Sequence, residues 1–257
     1  PVDGLSILPG SDEGGIYTLN AARSFHTFVN HVDNLVVFDN DAWRQGGESL
    51  AGGYSTLNDE LARRIGVLLN AGEVTEGVVP ESVVDASEVI NTLASGGVST
   101  VGYATAELPP RKRGLFGRRG RARDDDSVAP VTRITTAVRR AALGRLTLPA
   151  NLAGVERALL VVSGPSEYLS RKGIEDGRKW LEEATGTSEV RGGDYPVPDS
   201  DYVAALVLLS GVRDAPRIKE LQARAVDAQQ NMRDIESRSE GLGDLTWSGD
   251  GDLDPLF

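Results

Sequence analysis

The chain has 257 residues, enough for one large domain or two smaller ones, and 40% of them are hydrophobic, which supports a packed core. It has no cysteine, which excludes disulfides and thiolate metal sites; its two histidines, His26 and His31, read as helix-surface or packing residues, and no metal centre is expected. The net charge is −11, and Arg111 to Arg123 holds seven of the 27 basic residues, leaving 20 basic against 38 acidic elsewhere. An acidic surface with few lysines argues against nucleic-acid binding and suits a salt-rich cytoplasm. No apolar run reaches the length of a membrane span and no signal peptide is visible, so a cytoplasmic protein is expected. The start at Pro1 without methionine is that expected of a processed chain or a fragment.

In chain order, Leu5–Leu8 reads as a strand fragment, followed by the acidic, Gly-rich loop PGSDEGG. Leu19, Ala22, Phe25, Phe28 and Val29 fall at helical spacing over 17–31. Leu35–Phe38 is a short buried strand, and from Glu48 to Asn70 Leu57, Leu61, Ile65, Leu68 and Leu69 form the apolar stripe of a long central helix. Glu81–Ala94 is a shorter helix stopped by Ser95-Gly96-Gly97, and Val98–Ala106 is a strand. Pro109–Pro130 breaks every periodicity. A helix over Ile134–Leu143, a strand over Val155–Val162, a helix over Ser170–Ala184, strands over Glu189–Tyr195 and Tyr202–Ser210, and a charged helix over 216–238 complete the pattern. The last seventeen residues carry four aspartates and no basic residue, so an acidic disordered tail is expected there. Residues 81–211 therefore predict a mixed sheet with helices, an α/β or α+β unit, whereas residues 1–45 supply too few strands for a sheet of their own.

Two groups of polar residues invite a chemical reading. Asn40 follows the buried strand, and Tyr54 and Asn58, four apart, are neighbours on one face of the long helix. A tyrosine ring stacks on a planar base, and carboxamides offer a donor and an acceptor to a base edge. The same spacing also describes an ordinary strand–helix unit. Asp85 and Glu88, three apart, share a face at a helix start. That placement serves either as capping and first-turn charge or as a pair that positions an attacking water. No phosphate-cradling glycine loop occurs; Gly10, Gly14 and Gly15 are loop glycines.

The ordered set DNDAW (around Asn40), GGYSTLND (Tyr54, Asn58) and VDASEV (Asp85, Glu88), with NAARSFHTFV before it and RGGDYPVPDSDYVAALVLL after it, resembles the tubulin/FtsZ superfamily, most closely the tubulin-like CetZ proteins of haloarchaea. The resemblance covers roughly residues 1–240 and implies an α/β fold: the end of a Rossmann-like GTPase domain (1–45), a central core helix (46–72), a mixed-sheet α+β activation domain (73–212) with a basic insert at 109–130, a C-terminal helix (213–240) and an acidic tail (241–257). It implies GTP/GDP as ligand, with Mg2+ in the intact protein. Asn40 and Asn58 would bond guanine and Tyr54 would stack on it. Glu13, with Asp12 as the alternative, would contact the ribose. Glu88 would polarise the hydrolytic water with Asp85 as its partner, in the nucleotide site of the next filament subunit.

Two departures accompany the resemblance. Val83 stands where the family usually has Asn, and the phosphate loop that defines the superfamily is expected upstream of Pro1, so the chain alone is expected to bind GTP poorly and to be inactive. The implied function is a polymerising GTPase controlling cell shape or motility. A non-hydrolysing structural polymer protein of the same fold is the alternative, and an unrelated α/β enzyme a third reading. Expected partners are further copies of the chain and, through the basic 111–123 loop or the acidic tail, a partner protein or an anionic membrane.

Overall fold

A computed structural model describes residues 1–43, 50–71, 84–109 and 128–247. Val83, most of the basic insert and residues 248–257 lie outside these. The elements are β1 (Asp3–Leu8), α1 (Gly15–Val29), β2 (Asn34–Asp39), α2 (Asn40–Trp43), α3 (Leu50–Asn70), α4 (Ala86–Leu93), β3 (Gly97–Glu107), α5 (Val128–Leu143), β4 (Arg157–Gly164), α6 (Arg171–Thr185), β5 (Val190–Pro196), β6 (Tyr202–Ser210) and α7 (Pro216–Trp247).

The strands form one six-stranded sheet in the order β1-β2-β3-β6-β4-β5. β6 runs antiparallel to β3 and β4, and the other pairings are parallel. Side chains alternate between faces along a strand, so a strand covered on both faces reads apolar throughout. β6 is such a strand: Val203, Ala205, Val207 and Leu209 pack with α5 and α6, whereas Leu206 and Leu208 pack with Leu68 of α3 and Leu93 of α4. A third cluster joins Leu8, Leu35 and Val37 to Phe25 of α1 and Leu221 of α7.

Three features depart from or extend the expectations drawn from the sequence. The strands of 1–45 join the same sheet as the rest, because β2 pairs with β3 over Asn34–Val36. Beyond Val36 the sheet forks, and the segment Leu146–Leu148 fills the fork: the Asp39 amide donates to the Thr147 carbonyl at 2.7 Å, and the Thr147 amide donates to the Val101 carbonyl at 2.9 Å. The buried hydroxyls of Thr100 and Thr147 take up further backbone groups there. Second, α5 begins at Val128, inside the expected insert; Pro130 lies in its first turn, where a missing N–H breaks no helical bond. Third, α7 continues through residues 241–247, read as disordered tail from their acidic composition. After Pro216 no further proline occurs before Pro255, so nothing covalent stops that helix.

The opposite end of β2 is fixed by Asn34, which is fully buried. Its Nδ2 reaches the Leu93 and Gly96 carbonyls (2.9 and 3.1 Å) and the Ser210 hydroxyl (2.8 Å), and its Oδ1 accepts from Ser99 at 2.7 Å. This side chain thus ties the start of β2 to the end of α4 and the end of β6.

Candidate functional site

β1 and β2 are parallel, and the loops after their C-terminal ends, Pro9–Gly14 and Asn40–Trp43, lie side by side. Ligands of parallel sheets bind at this edge. An ionic cluster holds the two loops together. Arg217 of α7, 7% exposed, places Nε 3.1 Å from Asp39 Oδ1 and Nη2 2.8 Å from Asp41 Oδ2. The same Nη2 donates to the Pro9 carbonyl at 2.9 Å, while Nη1 lies 3.2 Å from Glu220 Oε2. The Asp41 carboxylate accepts from the Ser11 amide at 2.8 Å, and Arg224 donates to the Ser11 carbonyl. Burial pushes the Asp39 carboxyl above its usual range, and the attraction and hydrogen bond of Arg217 oppose this without reversing it.

Glu13 lies in the first loop, where its Oε1 accepts from the Gly10 amide at 2.6 Å. Asn40 is buried and opens α2. Tyr54, 37% exposed, and exposed Asn58 flank Leu57 on α3. Leu57 packs with Phe38 and Trp43, two residues before and three after Asn40, so this part of α3 sits against the C-terminal end of β2. Glu13, Asn40, Tyr54 and Asn58 therefore belong to one end of the sheet.

Asp85 and Glu88 belong to the other end. Asp85 caps α4: its Oδ1 accepts from the Glu88 amide at 3.0 Å and from the Ser87 hydroxyl at 2.5 Å. These two bonds, the hydroxyl's first, hold its carboxyl below the ordinary value. Glu88 Oε2 accepts from Arg191 Nη1 at 2.9 Å, near the start of β5. Further along α4, the Asn91 carbonyl accepts from Arg157 at the start of β4, and the Leu93 carbonyl meets Asn34 at the start of β2. α4 thus crosses the N-terminal edge of the parallel strands. The far end of α3 arrives at the same edge, where Leu68, Ala86, Asp3 and Leu5 line one groove. The six residues of β2 separate the two groups by ~20 Å. α3 bridges them.

Sequence reasoning did not find Arg217, Arg191 or Arg64. The first two act on partners 178 and 103 residues away, which leaves no local pattern. Arg64 had a signal: it stands in the apolar stripe of α3 between Leu61 and Leu68, yet is buried. Among the described residues no group of three or more His, Asp or Glu side chains is placed to hold a metal ion, and no helix is long and apolar enough to cross a membrane.

A six-stranded mixed sheet flanked by helices on both faces matches the fold of the C-terminal part of tubulin/FtsZ-type proteins. An empty FtsZ dimer from M. jannaschii shares this fold at TM-score 0.63 and 18% identity over 82% of this chain and 55% of that one. Residues 47–227 match the family model of the C-terminal domain of tubulin-like CetZ, and the chain belongs to that family. It is 63% identical, over its whole length, to tubulin-like protein CetZ3 of Haloferax volcanii and spans 67% of that relative. A GDP-bound CetZ1 monomer from Haloferax volcanii matches at TM-score 0.74 and 58% identity, over 89% of this chain and 61% of that one. A GTPγS-bound CetZ2 protofilament from the same organism matches at 0.76 and 40%, over 91% and 62%.

Proposed function

We propose that the protein containing this chain is a cytoplasmic, GTP-hydrolysing filament protein whose catalytic site is completed between two head-to-tail subunits. The observation that carries this reading is the separation of the two polar groups to opposite ends of one sheet. At one end Asn40 and Asn58 bond guanine, Tyr54 stacks on it, and Glu13 meets the ribose. At the other end Glu88, with Asp85 beside it, orients and polarises the water that attacks the neighbour's terminal phosphate. In phosphoryl transfer the protein contributes positioning and electrostatics, so one carboxylate at the attacking water suffices for this role. Arg191 holds Glu88 Oε2 and Ser87 holds Asp85, which keeps both carboxylates oriented before a neighbour arrives.

The exposed Tyr54 and Asn58 and the buried Asn40 fit a base with one edge inside and one face open. Phosphate and Mg2+ contacts are assigned to the third of the relatives' length that this chain does not span; these 257 residues contain no phosphate loop. The guanine-nucleotide-bound monomer and protofilament among the relatives support both nucleotide and self-association. Control of cell shape or motility is the cellular role this reading favours, with the basic 111–123 loop serving lateral or partner contacts.

The test is Glu88→Ala in the full-length protein. GTP turnover is expected to fall about 100-fold or more, with filaments still visible by light scattering and electron microscopy. Unchanged turnover would remove Glu88 from catalysis and favour a non-hydrolysing polymer.

A further inference from the structure

Arg64 occupies a position that the helical period assigns to the core. It continues the stripe Leu57, Leu61, Leu68 on α3 and is 3% exposed. Its Nη1 donates to the Glu60 carbonyl at 2.9 Å and to Glu60 Oε2 at 2.5 Å, and its Nε has no hydrogen-bond partner among the described residues. Burial pulls its pKa down against the pull of Glu60. A guanidinium in this setting is a poor choice for stability, because an apolar side chain of similar length fills the stripe without desolvating a charge. Its contacts indicate a different role.

The guanidinium lies over the Trp43 ring, with Cζ 4.0 Å from the centroid. Trp43 is restrained on its other contacts as well. Its indole N–H donates to the Leu146 carbonyl at 3.1 Å, and its ring stacks with Phe38 at 5.9 Å and 21°. Phe38 and Trp43 bracket Asn40, which opens the single turn of α2 that Trp43 closes. Arg64 is therefore a polar link, among the described residues, between the helix that carries Tyr54 and Asn58 and the turn that carries Asn40. A planar cation over an indole face fixes both distance and orientation, which an aliphatic contact does less strictly.

We infer that Arg64 is a positioning residue for the base site: by clamping Trp43 it sets the spacing of Asn40 from Tyr54 and Asn58, and so sets the preference for guanine. The inference rests on the guanine-site reading given above. A merely structural arginine and a positioning arginine differ in what its removal does. Replacing a structural arginine changes stability and leaves base preference alone. Replacing a positioning arginine with methionine leaves the fold as stable as before, or more so, and relaxes base preference.

The experiment compares Arg64→Met and Arg64→Lys with the unmodified full-length protein, measuring GTP and ATP dissociation constants by calorimetry and the thermal midpoint. Arg64→Met is expected to keep or raise the midpoint and to lose about tenfold in GTP affinity with ATP affinity unchanged, so that the GTP/ATP ratio contracts by the same factor. Arg64→Lys keeps the charge beside Glu60 but not the flat face, and is expected to contract the ratio less. A folded Arg64→Met protein with the wild-type ratio would overturn the inference; if that variant does not fold, the same result for Arg64→Lys would do so. Asn40→Ala and Tyr54→Ala separate the two levels. If they too leave GTP affinity unchanged, the guanine-site reading fails; if they weaken it while the Arg64 variants do not, only the role of Arg64 fails.

Discussion

Arg217→Ala is expected to destabilise this chain by about 3–5 kcal/mol, the cost of removing one partner from a buried ion pair. Arg217 lies beside three carboxylates, and the side chain of Asp39 is as inaccessible as its own. The alanine variant leaves the Asp39 side chain, 3% exposed, without its ion-pair partner. It also releases the Pro9 carbonyl and the Asp41 contact that hold the Glu13 loop against the Asn40 turn. Urea unfolding measures the loss as a lower midpoint with an unchanged slope. The pH dependence follows from Asp39. Its folded-state pKa already exceeds the unfolded value of 3.8 because of burial, and losing Arg217 removes the attraction and the hydrogen bond that oppose the rise. A carboxyl with a raised folded pKa takes up a proton on folding. Stability therefore falls as pH rises from the unfolded pKa to the folded one. The deficit of the variant relative to wild type is expected to shrink as pH drops toward 4, and a deficit independent of pH would remove Asp39 as its cause. The double variant Arg217→Met with Asp39→Asn, which removes both charges, is expected to recover part of the loss.

Gly102→Ala is expected to cost upwards of about 3 kcal/mol, at the high end of overpacking effects. A Cβ at Gly102 would stand 2.0 Å from the Ala141 carbonyl oxygen and 2.8 Å from its carbon, whereas ordinary contact begins at 3.4 Å. The obstacle is helix backbone, so no rotamer change relieves it. α5 cannot withdraw cheaply, because Ile134, Val138 and Ala141 are wholly buried. The crossing also adjoins the fork, where Gly102 bridges to Leu146. Near-ultraviolet circular dichroism and thermal unfolding should show loosened aromatic packing with a lower midpoint. Gly66→Ala is the matched control: it lies in α3 with open space around its Cβ position, so alanine should stabilise by about 0.5–1 kcal/mol. A tolerated Gly102→Ala would mean that β3 and α5 are farther apart than they stand here.

Much of the fold was legible because the strongest elements carry strong periodicity. β6 is apolar along its length because both its faces are covered, and its ends matched the reading residue for residue. The apolar stripe of α3, apart from Leu69, which faces solvent, and the Asp85 cap were equally readable, since each depends on residues within a turn or two. What escaped depends on distance along the chain. The fork filled by Leu146–Leu148, which joins the two strands of 1–45 to the rest, has no signature in either segment alone. The length of α7 was missed for another reason: composition suggested disorder, while the absence of proline allowed the helix to continue. For the site, the motifs identified which residues to watch, and the coordinates supplied which of them share an end of the sheet. The arginines that hold those residues were beyond reach, except Arg64, whose charge interrupts an otherwise apolar stripe.

The placement of Asn40 and Glu88 at opposite ends of the sheet has an arithmetic consequence for the proposed filament. A row of n subunits joined head to tail contains n − 1 completed sites. One terminus always shows a nucleotide with no acid over it, and the other shows acids with no nucleotide. A lone subunit has no completed site, a pair has one, and only closure into a ring makes sites and subunits equal in number. Turnover per subunit should then climb toward a plateau as rows lengthen. The two termini also differ in kind, since only one can shelter unhydrolysed nucleotide. That difference gives the row a direction from its first pairing, before any accessory factor acts on it.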